Sequence, residues 1–597
     1  MSRAAEDPER RLDLRLVPVA AVTWIVALAG TRLPAVWSAA LMGFLLLCTV
    51  LLLLGGAKRR VRPSRAFPRS LTAGLALACL LGSAVAAHTF AVATDRSGLA
   101  HLGQHAEGDS VLVNLLVTGD ARQARAGAGG TERWLIGAEL LDLAVDGRMY
   151  RPGTRLLVAG GSDWKDMRAG QRVRAAGKLT AAAPGQAEAA VFSARTRPLP
   201  PVDSPERTAD RHGAGRGHDD GDWAAAMRER YRKAAGAVGG DAAGLLPGMV
   251  IGDTDGMDEG LLAAMRDTGT THLTAVSGAN CSLILGMLVM LARSFRLGRA
   301  TAAAAALAGL AAFVWLVGPE PSVLRAAVMG AIGLMALSNG RPGRSLGFLC
   351  VAVSVLLVIE PTLAGSAGFL LSVLATLGIV LLARPLMDGA PSWLPRPLSA
   401  AVAVPLSAQL FCAPVLVGIQ PQFTTFSLPA NVVMAPFVAP VTILGTLAVP
   451  VLPLHAGAAS LLIAPAAVCG GAIAALARFF AGLPGAVQPW PEGPWGVFTM
   501  VMGSAVTLVL LWIAAHPLSC VDAVLRLHRQ LELWIDCVAA AARHRAGPGS
   551  GLPGRRGRLE PCTKTTGRKH SWLLLRPPRP RPRRRTRPAG GTSPRPP

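Results

Sequence analysis

The sequence predicts a polytopic α-helical membrane protein, with about 10–12 transmembrane helices and one small β domain outside the membrane. Three observations predict it. Of the 597 residues, 51% are hydrophobic and only 16% are charged, too apolar a balance for a water-soluble chain of this length. Apolar runs of roughly 17–25 residues recur, the length a helix needs to cross a hydrocarbon core. Clusters of arginine separate those runs in alternation, as cytoplasmic loops do.

Residues 1–94 are expected to hold three spans: Leu16–Gly30, Ser38–Gly55 and Ser70–Thr94. No small-residue cleavage site closes the first run, so it reads as a span and not a signal peptide. Lys58, Arg59, Arg60, Arg62, Arg65 and Arg69 make the loop after the second span cytoplasmic. The N-terminus then lies in the cytoplasm too, and the third span delivers residues 95–240 outside, with 95–197 as the β domain. There Val111–Val117, Trp134–Leu143, Thr154–Ala159 and Gln171–Leu179 are strand-compatible, with glycine-rich turns between them. Short strands of this kind suggest a small barrel. Residues 198–222, rich in Pro, Asp, Arg, His and Gly, read as a disordered linker. Residues 223–270 read as amphipathic helix. Asp253, Asp255, Asp258, Glu259 and Asp267 cluster there; a solvated helix face explains them better than a cation site.

Residues 271–515 return to apolar runs, near 273–292, 300–317, 323–338, 345–359, 367–384 and 399–418, then Leu428–Val451, Ala456–Leu483 and Trp495–Ala515. Arg293, Arg296 and Arg299 mark one cytoplasmic loop, Arg341 and Arg344 a second, Arg384 and Arg396 a third. Pro429, Pro436, Pro440 and Pro450 fit re-entrant backbone. Residues 516–597 form a basic, Arg/Pro-rich tail expected to be disordered. Its last part, 541–597, holds sixteen basic residues and one glutamate, whereas 241–515 balances ten basic residues against ten acidic ones. The net charge of +24 therefore says little about nucleic acid. Nine cysteines without a CxxC pair indicate neither a disulfide framework nor a zinc site.

The richest stretch is Thr271-His272-Leu273-Thr274-Ala275-Val276-Ser277-Gly278-Ala279-Asn280. Polar groups at a bilayer boundary need partners, water or a substrate. Taken as helix, it puts Ser277, Asn280 and Cys281 on one face, while His272 lies roughly 140° from Ser277. That is a poor nucleophile–base pair, so a serine hydrolase would need a base from elsewhere. Gly278 allows close helix approach. Either the stretch is a polar packing interface, or Ser277 and Asn280 line a polar path. Arg325 either snorkels to the interface or meets a phosphate at a channel mouth. Gln409 and Asn431 are uncharged polar residues inside spans.

The 271–280 stretch closely resembles the signature of the ComEC/Rec2 family, polytopic channels that import single-stranded DNA in natural competence. Pro321-Ser322-Val323-Leu324-Arg325-Ala326-Ala327, Gly368–Gly378 and Ser427–Pro436 resemble the family in the same order. The resemblance covers about 95–515. It implies an OB-like domain at 95–197, where Arg172, Arg174 and Lys178 would guide the strand. It also implies passage of one DNA strand through the membrane domain, with the bilayer, a DNA receptor, a cytoplasmic translocation ATPase and self-association as the partners in view. Many members end in a metallo-β-lactamase-like domain with an HxHxDH-type ligand cluster. His516, His528, His544 and His570 do not make that pattern, so no cofactor, metal or catalytic residue is expected here. The rival readings are a polytopic transporter of another substrate and an inactive, truncated relative. A transporter coupled to ions would want paired carboxylates inside spans; after 271 only Glu320 and Glu360 adjoin spans, both at predicted ends.

Overall fold

The computed structural model describes residues 14–58, 69–104, most of 110–199, 219–274, 278–318, 321–338, 345–515 and a few positions between 525 and 536. The interior of the arginine loop (59–68), most of the expected linker, Ser277, Glu320, Arg341, Arg344 and most of the tail lie outside the described residues. The chain forms two units that divide after Pro517. In the second, residues 528–536 are helical, with His528 Nε2 3.1 Å from Glu532 Oε1.

The first unit opens with helices α1 (Val17–Gly30), α2 (Ala35–Lys58) and α3 (Arg69–Gln104). They pack on one another and on a later helix, α10 (Ser345–Ile359). Val26, Ala27, Leu45, Val85, Ala86, Leu349, Val353 and Leu357 form that core, and Trp24 stacks on Phe369 with ring centroids 4.8 Å apart. Helix α3 runs ten residues past its expected end. Its extension carries Leu99 into the core of the β domain.

That domain contains β1 (Val111–Val117), β2 (Arg122–Gln123), β3 (Trp134–Val145), β4 (Arg148–Tyr150), β5 (Thr154–Gly160), β6 (Arg172–Ala181) and β7 (Ala190–Ala194). Five strands close into a ring. β1 pairs with β6, β6 with β7, β7 with β5, β5 with β3, and β3 with β1; all pairs are antiparallel except β5–β7. A register shift at Asn114/Leu115 lets β1 serve two neighbours. Period-two alternation turns Val113, Leu115, Ile136, Leu140, Leu156, Val158, Val173 and Phe192 inward. Trp164 plugs the barrel, its indole N–H donating to Thr196 O at 3.1 Å. The side chains of Arg172, Arg174 and Lys178 alternate with this core and lie on the outside. Strand β7 escapes sequence reading because Ala190–Ala194 is too short to show a period. Its place demands glycine opposite: a Cβ at Gly177 would sit 2.8 Å from Phe192 Cζ and 3.0 Å from Ala194 Cα.

The barrel stands on the turns that end α1 and α10. Gly185 N donates to Thr31 O at 3.0 Å, Arg96 Nη2 to Gln186 O at 3.2 Å, and Arg155 Nη1 lies 3.0 Å from Glu360 Oε2. A cavity of about 290 Å³ separates barrel and helices there.

The remaining helices are α4 (Asp219–Gly236), α5 (Gly240–Ile251), α6 (Glu259–Asp267), α7 (Gly278–Ser294), α8 (Arg299–Val317), α9 (Pro321–Ser338), α11 (Ala367–Asp388), α12 (Arg396–Ile419), α13 (Ser427–Val451), α14 (Ala456–Ala481) and α15 (Gly493–Ala515). Helix α11 widens into a π-turn at Ile379–Ala383, next to Pro385, which lacks an N–H to donate. Strands β8 (Gln422–Thr424) and β9 (Val487–Pro489) pair, so the turns before α13 and after α14 share one side. Among the described residues eight helices are long and apolar enough to cross a bilayer. The other expected spans fall on α1, α7, α9 and α10, with 14, 17, 18 and 15 residues. The chain is a polytopic membrane protein.

Two expectations need correction. Within residues 223–270, expected as amphipathic helix, the run from Gly244 to Ile251 has no exposed face, since every residue in it is buried. The 271–281 stretch is not continuous helix: Thr271–Leu273 is a 3₁₀ turn and α7 starts at Gly278. Thr274 Oγ1 donates back to Thr271 O at 2.8 Å, offering the backbone a local alternative to the helix.

Candidate functional site

The unusual element is α5 and the loop after it. Gly239 and Gly240, at φ 76° and 63°, break the chain from α4, conformations that glycine adopts without a Cβ penalty. A run of twelve residues follows, about 18 Å of helix, too short to cross a bilayer. Leu246 meets Gly470 of α14, and Val250 meets Gly445 of α13. Gly252, left-handed at φ 77°, caps the end and bonds back to Gly248 O. The chain then returns along α5: Met257 Cα lies 2.7 Å from where a Cβ on Gly244 would be.

The two ends of this hairpin meet at one side chain. Arg478 Nε donates to Asp241 Oδ2 at 2.7 Å, and its Nη2 donates to Asp241 Oδ1 at 2.9 Å and Asp258 Oδ2 at 2.7 Å. Asp241 stands in the first turn of α5 and Asp258 caps α6, accepting from Leu261 N. The segment thus enters and leaves the helix bundle at the same end. The Arg478 guanidinium, with the Leu261 amide beside it, holds the Asp258 carboxyl below its ordinary range.

The tip of the hairpin lies under the 271–280 stretch. Asn280 is 2% exposed. Its Nδ2 donates to Met249 O at 3.1 Å, and its Oδ1 accepts from Thr442 Oγ1 of α13 at 3.4 Å. Near the start of α13, where Gly269 meets Ser427, Thr268 and Thr270, both fully buried, share a hydroxyl contact of 2.8 Å and bond to the α6 carbonyls. On the far side Arg232 Nε donates to Asp253 Oδ2 at 2.7 Å, and Glu229 takes a second bond from Arg232 at 2.7 Å. Tyr231, fully buried, turns its hydroxyl toward Gly445; that Oη has no hydrogen bond among the described residues. The result is a buried polar seam inside an apolar cluster from α4, α5, α6, α13 and α14.

The structure brings some of the sequence candidates to this seam. Asn280 is at its centre. Gly278 begins α7 and faces Ala326 of α9. His272 sits in the 3₁₀ turn with its side chain exposed. Arg325 belongs to α9, and its side chain lies outside the described set. Gln409 is half-buried on α12, away from the hairpin. Asn431 is half-buried and bonds within its own helix, Nδ2 to Ser427 O at 2.8 Å. Sequence reasoning missed Thr442, Tyr231, Gly244 and Arg478. Only Arg478 left a signal: no other Arg or Lys occurs between Arg396 and Arg526, and a lone charge in an apolar helix needs a partner. Among the described residues no three His, Cys, Asp or Glu side chains gather where they could hold a metal ion.

Residues 249–515 match the family described as Competence protein. This range begins in α5 and takes in the hairpin tip, Asn280, Thr442 and helices α6 to α15, while Glu229, Tyr231 and Arg232 precede it. The chain is also 30% identical over 197 residues to ComE operon protein 3 of Bacillus subtilis (strain 168), an alignment covering 33% of this chain and 25% of that protein. It thus spans about a quarter of that relative's length. No solved structure matches the chain. The match over the membrane helices, together with the ordered motifs from Thr271 to Pro436, makes residues 249–515 similar to the competence proteins, and the chain is a multi-pass protein of the cytoplasmic membrane.

Proposed function

We propose that this protein moves a single DNA strand across the cytoplasmic membrane in natural competence. The observation that carries the reading is the coupling of a closed five-stranded barrel to a competence-type membrane domain. Numbered by their order in the closed ring's sequence, β1, β3, β5, β6 and β7 are strands one to five. They run one-two-three-five-four around the barrel, with the third and fifth parallel. We read this as an OB-type barrel, a fold that takes oligonucleotides on its second and third strands and adjoining loops. One loop of that set, Ala182–Ala189, is engaged on the membrane helices through Gly185 and Gln186. The outward face of β6, with Arg172, Arg174 and Lys178, remains as the basic surface a strand would follow.

The test is import. A deletion strain is given labelled duplex DNA and scored for cytoplasmic label, then complemented with wild type and with Arg172→Gln/Arg174→Gln. DNA held outside the deletion strain and imported on complementation supports the reading. Import unchanged in the deletion, in a host that does take up DNA, overturns it in favour of another transported substrate.

A further inference from the structure

Away from the hairpin, two tryptophans stack on each other at the surface. Trp223 is in the first part of α4 and Trp315 in the last turn of α8; their ring centroids are 5.2 Å apart and their planes 15° from parallel. Each remains open, at 49% and 45% exposure. The pair joins elements far apart in sequence, and Arg228 Nη1 donates to Val317 O at 3.5 Å beside it, fixing α4 to the end of α8. Helix α4 buries Ala224, Met227, Tyr231 and Ala235. Its opposite stripe carries Trp223, Ala226, Arg230 and Lys233, all exposed. Arg230 follows Trp223 by seven residues, which places it within about 20° of the same face and roughly 10 Å further along.

We propose that Trp223 and Trp315 form a stacking platform for the bases of a single-stranded nucleic acid, with Arg230 and Lys233 contacting its phosphates. This rests on the DNA reading above and assigns to it a site outside the barrel. Single-strand binders combine aromatic faces for bases with a basic track for the backbone. The mode tolerates any sequence, because every base has a π-face. A tryptophan that only anchors a helix at the bilayer interface needs neither a stacked partner nor a cationic stripe on its own helix. Helix α4 begins Asp219-Asp220-Gly221-Asp222, which suits water better than lipid. Lys233 is 3.5 Å from Glu229, a loose exposed pair that a phosphate can replace.

The experiment uses the full chain in nanodiscs and a labelled oligothymidylate, read by fluorescence anisotropy. Trp223→Leu and Trp315→Leu keep apolar bulk and remove the ring; each is expected to weaken binding by about 5- to 150-fold, the loss of one stacked base. Trp223→Phe is expected to retain most of the affinity. Arg230→Gln is expected to lower the salt dependence by about one charge. If wild type binds and the leucine variants bind equally well, the pair is an interfacial anchor and the platform is wrong, while the DNA reading stands. If wild type binds no oligothymidylate at all, the platform falls together with the DNA reading.

Discussion

Gly244 is where the two arms of the hairpin touch, and Gly244→Ala tests whether the hairpin is built as described. A Cβ there would lie 2.7 Å from Met257 Cα and 3.0 Å from Gly256 C. Carbon atoms prefer about 3.5–4.0 Å, so the arms must part by roughly 1 Å. Both obstacles are backbone, and no rotamer change relieves them. Overpacking of this kind costs about 1–3 kcal/mol, and a backbone clash belongs at the upper end. Alanine recovers about 0.5–1 kcal/mol through its helix preference. The balance is a loss of about 2 kcal/mol, near 30-fold in the equilibrium that docks the hairpin. Hydrogen exchange of the amides from Leu245 to Ile251, read by mass spectrometry in nanodiscs, is the assay. Gly256→Ala is the control, since nothing lies within 4 Å of a Cβ there; it is expected to stay within about 0.5 kcal/mol of wild type. Equal exchange in Gly244→Ala and Gly256→Ala would refute the close-packed hairpin.

Asn280→Ala strands the Met249 carbonyl and the Thr442 hydroxyl in an apolar cluster. It should cost about 1–3 kcal/mol, seen as a lower Tm in detergent, and should be non-additive with Thr442→Val. The contact of Arg478 with Asp241 and Asp258 should respond to pH with a definite sign. Because the folded Asp258 carboxyl titrates below its ordinary 3.8, its contribution is present above that value and lost as pH falls through the lower, folded one. Protection of the hairpin amides, corrected for intrinsic exchange, should therefore stay flat from neutrality to about pH 4 and fall below it, and Asp258→Asn should reduce that fall to the part carried by Asp241, whose carboxyl Arg478 also holds below its ordinary range. Charge reversal at the barrel's footing gives a separate check: Arg155→Glu and Glu360→Arg should each loosen docking by up to about 1 kcal/mol. The double reversal should restore it, measured by cross-linking between the barrel and α10.

The parts legible in the sequence are those whose signal is local. Long apolar runs give α2, α3, α8 and α11–α15, and period-two alternation gives four of the five ring strands. Helix α5 is hidden because its burial is imposed from outside. Nothing in Gly240–Ile251 says that α13 and α14 will close over it, so it merges with its polar neighbours. The start of α7 is hidden by competition between helix propensity and the bond that the Thr274 hydroxyl donates to the Thr271 carbonyl. Asn280 stands out as a polar residue in an apolar run, but its partners lie 31 and 162 residues away. Spacing cannot supply contacts at that range.

The neutral balance of residues 241–515 gains a physical meaning from these contacts. Around the hairpin, charge is consumed internally: Arg478 by Asp241 and Asp258, and Asp253 by Arg232 from the preceding helix. The hydroxyls of Thr268, Thr270 and Thr442, and the Asn280 amide, are likewise bonded to protein atoms. A polyanion approaching this region therefore meets little free positive charge. That suits conduction, because a site that must release its cargo cannot hold it strongly. On the proposed function, attraction comes from outside this part, from Arg172 and Arg174 on the outer face of β6 and from Arg230 of α4. It follows that neutralising Arg172, Arg174 and Arg230 together should flatten the salt dependence of strand binding, whereas Arg478→Gln should leave that slope unchanged and alter only the exchange of the hairpin.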